Sequence, residues 1–170
     1  MSTYLLRKQL LTIAENEIGV TEVGDSNSGK RVREYQASTN LEGTGWPWCA
    51  AFVCWCIREW GKDSNVRDAL KLTKEGFEEW RPKTAAAFGF HAWGKKNGLL
   101  VMDDSQSNIL HTGDIMTFDM SHVGFVNDDK GTKVYTVEGN TSTQGSRDGG
   151  GVYAKVRNRS LGKMFVRPLA

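Results

Sequence analysis

Cys49 stands where a loop, Glu42-Gly43-Thr44-Gly45-Trp46-Pro47-Trp48, meets a nearly unbroken apolar run over residues 50–57. A thiol at the first turn of a buried helix is a candidate nucleophile. That turn presents unpaired N–H groups and a partial positive charge, which favour a thiolate over a thiol. The same N–H groups can hold an oxyanion. A nucleophilic cysteine also needs a base within hydrogen-bonding reach and a third group to hold the base's ring. Three histidines compete for the role. His91 lies in the helical stretch Phe90-His91-Ala92-Trp93, His111 precedes a turn, and His122 opens the alternating segment Ser121-His122-Val123-Gly124-Phe125-Val126. Period-two alternation puts His122, Gly124 and Val126 on one face, with Val123 and Phe125 on the other. The small Gly124 leaves room beside the imidazole. The next segment, Val134-Tyr135-Thr136-Val137-Glu138-Gly139-Asn140, follows the turn Asp128-Asp129-Lys130-Gly131, which predicts an antiparallel hairpin. Glu138 and Asn140 then share a face. Either can accept the ring N–H of His122, fixing its tautomer and leaving the other nitrogen for Cys49.

Each of these residues also has a plainer reading. A buried cysteine is ordinarily a small core hydrophobe, and Cys54 and Cys56 read that way because their helical spacing gives them no base. His91 and His111 read as core-edge or surface residues. Glu138 alone would be a solvated strand end, Asn140 a turn residue capping Thr141-Ser142, and Asp114 a turn acceptor before a strand. The joint placement of Glu138 and Asn140 after a His-bearing strand is what raises them above that. Trp46 and Trp48 either cover the core or flank the nucleophile as binding surfaces for a sugar ring or a peptide. His111, Asp114, His122 and Glu138 include the ligand types of a metal centre. No His-Glu-x-x-His helix or close cysteine pair supports one, so neither metal nor cofactor is expected.

The elements that must position these groups follow from periodicity. Leu6, Leu10, Ile13, Ala14 and Ile18 recur at helical spacing, with Arg7, Lys8, Glu15 and Glu17 filling much of the other surface, and this first helix stops near Gly19. A turn-rich stretch over 24–29 precedes a short helix at 30–37 with Val32 and Tyr35 inward. The third helix, 49–60, is apolar nearly all round until Arg58 and Glu59, as a helix packed on both sides must be. A helix over 66–80, stopped by Pro82, and another over 85–94 follow. After Gly98 the chain reads as short β-prone segments, at 113–118, 122–126, 133–138, 152–156 and 164–167, separated by turns. The fold class is therefore α+β, with N-terminal helices packed on a small C-terminal antiparallel sheet.

Composition sets the outer bounds. A chain of 170 residues with 39% hydrophobic content is expected to form a single domain over 1–170, given bulk by six tryptophans and seven phenylalanines. The net charge of +2, from 22 basic and 20 acidic residues, is too balanced for a nucleic-acid footprint. The three cysteines lie within one predicted helix, where no disulfide framework forms, which points to synthesis in a reducing compartment. Residues 1–8 break into charge too early for a signal-peptide core, and no stretch approaches a membrane span. The expectation is cytoplasmic synthesis, with release or secretion by another route.

Three strings in order, Trp46-Pro47-Trp48-Cys49-Ala50-Ala51-Phe52-Val53, then Gly113-Asp114-Ile115 leading to Ser121-His122-Val123-Gly124, then Val137-Glu138-Gly139-Asn140-Thr141, resemble the CHAP domain. That family comprises cysteine- and histidine-dependent amidohydrolases and peptidases of papain-like fold, mostly acting on peptidoglycan. The resemblance spans nearly the whole chain. It implies Cys49 as nucleophile, His122 as general base, and Glu138 and Asn140 as the orienting acidic and amide positions. Gly150-Gly151-Val152-Tyr153 looks like the strand that follows in relatives. Some phage members carry an Asp-rich calcium loop upstream of the cysteine; the matching stretch 24–30 has only Asp25, again predicting no metal. The implied reaction is cleavage of a stem-peptide amide through a thioester, and the alternative is a silent wall-binding or protein-binding module on the same scaffold. A phage lysis enzyme or an injected antibacterial effector fits this reading, the latter with an immunity protein or delivery partner, and a monomer is expected. With no wall-binding repeat after Ala170, targeting is expected from the catalytic domain or a partner.

Overall fold

The structure, a computed structural model, describes residues 1–102, 109–144 and 149–170. Helices come first: α1 (Thr3–Glu15), α2 (Lys30–Gln36), α3 (Cys49–Trp60), α4 (Ser64–Leu70), α5 (Lys74–Trp80) and α6 (Gly89–Lys96). The strands follow as β1 (Leu100–Met102), β2 (Ile115–Phe118), β3 (His122–Asp129), β4 (Lys133–Thr141), β5 (Gly151–Asn158) and β6 (Gly162–Arg167). They form one six-stranded sheet in the order β1-β6-β2-β3-β4-β5, antiparallel at every pairing. The class is α+β. No described helix is long and apolar enough to cross a membrane.

The apolar girth of α3 has a direct explanation. It packs against α1 and α2 on one side and against β3 and β4 on the other, so every residue from Cys49 to Ile57 is buried. Trp60 ties its far end to α1, its indole Nε1 donating to the Leu6 carbonyl at 2.9 Å. Ile115, Val123, Phe125, Val137 and Val166 line the sheet face turned toward this helix. Met116, Phe118, Val126, Val134 and Phe165 line the opposite face, together with Met102 and Leu110. The alternation along β3 therefore holds, with Val123 and Phe125 under α3 and His122 on the second face.

Several expectations change. The first helix ends at Glu15, so Ile18 lies beyond it and is 43% exposed, while Leu11 is fully buried. Arg7 and Glu17 are buried, because each finds partners inside: Arg7 Nη1 donates to the Leu169 carbonyl at 2.9 Å, and Glu17 accepts from Arg31 and from the Tyr35 hydroxyl. The helix expected over 66–80 is two helices. Lys71 adopts a left-handed φ of 59° after α4, and Thr73 restarts the chain by accepting the Gly76 N–H on its hydroxyl. The helix expected from Ala85 begins at Gly89, because the Thr84 hydroxyl accepts the Ala86 N–H and holds a turn there. The three-residue β1 was not anticipated.

Asp114 is an anchor of the sheet. Its fully buried carboxylate receives Nε and Nη2 of Arg167, both at 2.9 Å, and the His111 backbone N–H at 2.8 Å. Asp114→Asn strips the charge from a buried pair and leaves the guanidinium uncompensated, an expected cost of roughly 3–5 kcal/mol. A urea unfolding series on the two proteins measures it.

Candidate active site

The loop leading to Cys49 is held from α2. Gln36 Nε2 donates to the carbonyls of Asn27 and Trp46 at 3.0 and 3.1 Å, and the Ser38 hydroxyl reaches the Ala51 carbonyl at 3.1 Å. Trp48 is the residue before α3, and its side chain makes no capping hydrogen bond. The first-turn N–H groups are thus left without a side-chain cap, with Cys49 as the first helical residue. Cys49 is 5% exposed.

His122 begins β3 after Ser121, whose φ of 56° turns the chain into the strand. Its Nε2 lies 2.9 Å from Glu138 Oε2 on β4. Phe118, its cross-strand partner, stacks on the ring with centroids 5.7 Å apart. Burial disfavours the imidazolium, but the Cys49 side chain and the Glu138 carboxylate outweigh it and raise the His122 pKa to about 9. For Glu138 burial acts in the opposite direction, and Arg157 and His122 overcome it, holding the carboxyl at about 2. At neutral pH the carboxylate is therefore ionised and accepts a hydrogen bond from Nε2–H. Nδ1 is the nitrogen left for Cys49. It is buried and makes no hydrogen bond of ordinary geometry, while the Cys49 side chain still favours the protonated ring.

The fold and this geometry can be set beside known proteins. The CHAP domain family model matches residues 41–140, more than half of the chain. The chain belongs to the CHAP domain family. It is a family of peptidoglycan amidases and peptidases. Among solved structures, "The crystal structure of Ly7917" aligns over 96% of this chain with a TM-score of 0.54 and 16% identity, a likeness of fold alone. This chain spans 62% of that one. A search of curated proteins gave no match.

Within this CHAP domain the expected residues are not all brought together. Glu138, not Asn140, holds the histidine. The pairing of β4 with β5 shifts register between Glu138 and Thr141, and Asn140 takes a left-handed φ of 56°. The simple alternation that placed both on one face fails there. Asn140 is 1% exposed, and neither its Oδ1 nor its Nδ2 finds a hydrogen-bond partner among the described residues. Trp48 is fully buried and stacks on Tyr35 with centroids 5.5 Å apart. Its ring belongs to the core and offers no face to a ligand. Trp46 is partly buried against the core.

Three residues that hold the site escaped the sequence reading. Thr136 donates its hydroxyl to Glu138 Oε1 at 2.5 Å. Phe118 backs the imidazole. Arg157 on β5 donates Nε to Glu138 Oε1 at 2.9 Å and Nη2 to Oε2 at 2.5 Å. Period-two spacing from Glu138 points to Thr136, but the segment expected over 152–156 stops one residue short of Arg157. The two carboxylates of the hypothetical metal centre are each taken by an arginine, Asp114 by Arg167 and Glu138 by Arg157.

Gly124 is needed at its place on β3. The room it leaves is filled by Glu138: a Cβ there would lie 2.6 Å from Glu138 Cγ and 2.8 Å from the Val137 carbonyl oxygen. Gly124→Ala is expected to displace the carboxylate from His122 and to lower turnover at least tenfold, with a fall in melting temperature. Steady-state rates beside a thermal melt test this.

Proposed function

We propose that this CHAP domain is a cysteine-dependent peptidoglycan hydrolase that cuts an amide of the stem peptide through a thioester. The observation that carries the proposal is His122, held through Nε2 by an ionised Glu138 and favoured in its protonated form by the neighbouring Cys49 side chain. In the first half-reaction the Cys49 sulfur attacks the carbonyl carbon as thiolate, its proton resting on His122. The oxygen becomes an oxyanion received by the uncapped N–H groups of the first turn of α3. Collapse breaks the C–N bond, and His122 gives its proton to the leaving amine. In the second half-reaction His122 takes a proton from water, the hydroxide oxygen attacks the thioester, and the thiol is regenerated with a free carboxylate. Glu138 stays ionised throughout, accepts the hydrogen bond from Nε2–H and holds the ring.

Purified sacculi test the proposal. Incubation should clear the suspension, and mass spectrometry should show new amine and carboxyl ends in equal number. Ends at the lactyl carboxyl and the first stem alanine identify an amidase; ends within or between stems identify an endopeptidase. Intact sacculi after exposure to folded protein would defeat the proposal. The same reading covers both a phage lysis enzyme and an injected antibacterial effector. A membrane-pore gene beside the coding sequence marks the first, an immunity gene the second.

A pH experiment follows from the same residues. In Glu138→Gln the imidazolium loses its carboxylate and burial prevails, so the alkaline limit of activity moves downward from near 9. Linkage gives the matching stability signature in the parent protein. His122 binds its proton more tightly folded than unfolded, so this contribution is complete below about 6.5 and lost as pH rises through about 9. Glu138 does the reverse, its contribution complete above about 4.5 and lost as pH falls toward 2. Rate profiles across pH 4–10 and melting temperatures across pH 2–10 check both signs.

A further inference from the structure

Arg157 lies outside the residues that match the family model, yet it touches the candidate machinery directly. Arg157 is 7% exposed, and its guanidinium forks both oxygens of Glu138. It also sits over the ring of Phe118 at 5.5 Å, and Phe118 in turn stacks on His122. One cation therefore meets the histidine's surroundings twice, through the carboxylate that accepts its N–H and through the aromatic ring against its face. We infer that Arg157 is a positioning residue that keeps Glu138 ionised and in a single orientation, and so fixes which nitrogen of His122 is offered to Cys49.

The physical argument is one of competition. A buried carboxylate without a cation takes up a proton readily, and a protonated Glu138 could no longer demand the Nε2 proton. His122 alone is a poor guarantor, because its own charge changes during a catalytic cycle. A guanidinium does not titrate in the working range, and its planar fork matches the carboxylate on two points. The charged groups acting on Glu138 are His122 from β3 and Arg157 from β5, with Lys155 of β5 coupled to it more weakly, and the Thr136 hydroxyl of β4 adds a neutral donor. Cys49 of α3 acts through His122. Lys155 is directed to the backbone carbonyls of Ser142 and Thr143 and does not replace the fork.

This inference rests on the hydrolase reading for its consequence, but its test need not. The rate of Cys49 alkylation by iodoacetamide, followed against pH by mass spectrometry, reports the thiol–imidazole pair without any substrate. Arg157→Gln is expected to fold, to lose roughly 10–100-fold in turnover near neutral pH, and to show an acid limb, in alkylation and in clearing, moved up by about one to three pH units as Glu138 takes up a proton. Arg157→Lys, which keeps the charge but loses the fork, should lie between the two. If Arg157→Gln does not fold, the Lys variant carries the test alone, and an acid limb raised above the parent's supports the inference. A folded variant with a lower melting temperature and unmoved pH limits overturns it and makes Arg157 a structural residue. If the parent leaves sacculi intact while the alkylation limb moves in the variant, the hydrolase reading falls and the role of Arg157 stands.

Discussion

Cys49→Ala is expected to fold as the parent does and to lose turnover on sacculi by a factor on the order of 10⁶, the scale at which a nucleophile is removed from a set that acts as a unit. The fold should survive because Cys49 begins α3 with its side chain at the rim of the core, 5% exposed. The change removes one sulfur atom and substitutes the best helix former, a cost of about 1 kcal/mol. Cys49→Ser keeps the shape and replaces the thiol by a hydroxyl that the imidazole ionises far less readily, so it too should fall below detection. Turbidity traces, fragment spectra and melting curves give activity and fold on the same samples. Substantial clearing by the folded Ala variant would end the thiol proposal. Unchanged biological effect without any cleavage, in parent and variant alike, would point to a binding module.

His122→Ala should produce a loss of about 10⁴–10⁶. Its removal leaves Glu138 still satisfied by Arg157 and Thr136, so the second face of the sheet keeps its ion pair. Combining it with Cys49→Ala should add little, because the thiol and imidazole work as one device. His91→Ala and His111→Ala are the informative controls. The link from His111 to Asp114 runs through its backbone N–H, and that link survives truncation of the ring. Both controls should stay within a few-fold of the parent. Equal damage from His111→Ala, with recovery on adding zinc, would instead favour a metal centre.

Chemistry that depends on short stretches of chain was legible before any coordinates. The position of Cys49 is set by the loop and apolar run around it, and the face of His122 by the alternation of its own strand. What lay hidden depends on partners far away in sequence. Glu138 and Asn140 are equivalent candidates until a register shift turns the chain between them. The aromatic loop does not reveal that Trp48 stacks inward on Tyr35. Arg7 and Glu17 read as surface charges because their partners, the Leu169 carbonyl and the Arg31–Tyr35 pair, lie on other segments. Arg157 is the clearest instance, since its fork is visible only once β5 pairs with β4.

The sulfur arrives on a helix from the first half of the chain, and the imidazole, its carboxylate and the arginine arrive on three strands of the second. A growing polypeptide that has emerged only through α3 carries the thiol without its histidine. On the proposed mechanism the site is complete only when β3, β4 and β5 dock, late in synthesis. On the proposed hydrolase mechanism, any loosening of that dock separates the thiol from its histidine while the helices can still stand. On heating, loss of the proposed hydrolysis of sacculi should run ahead of loss of helical signal.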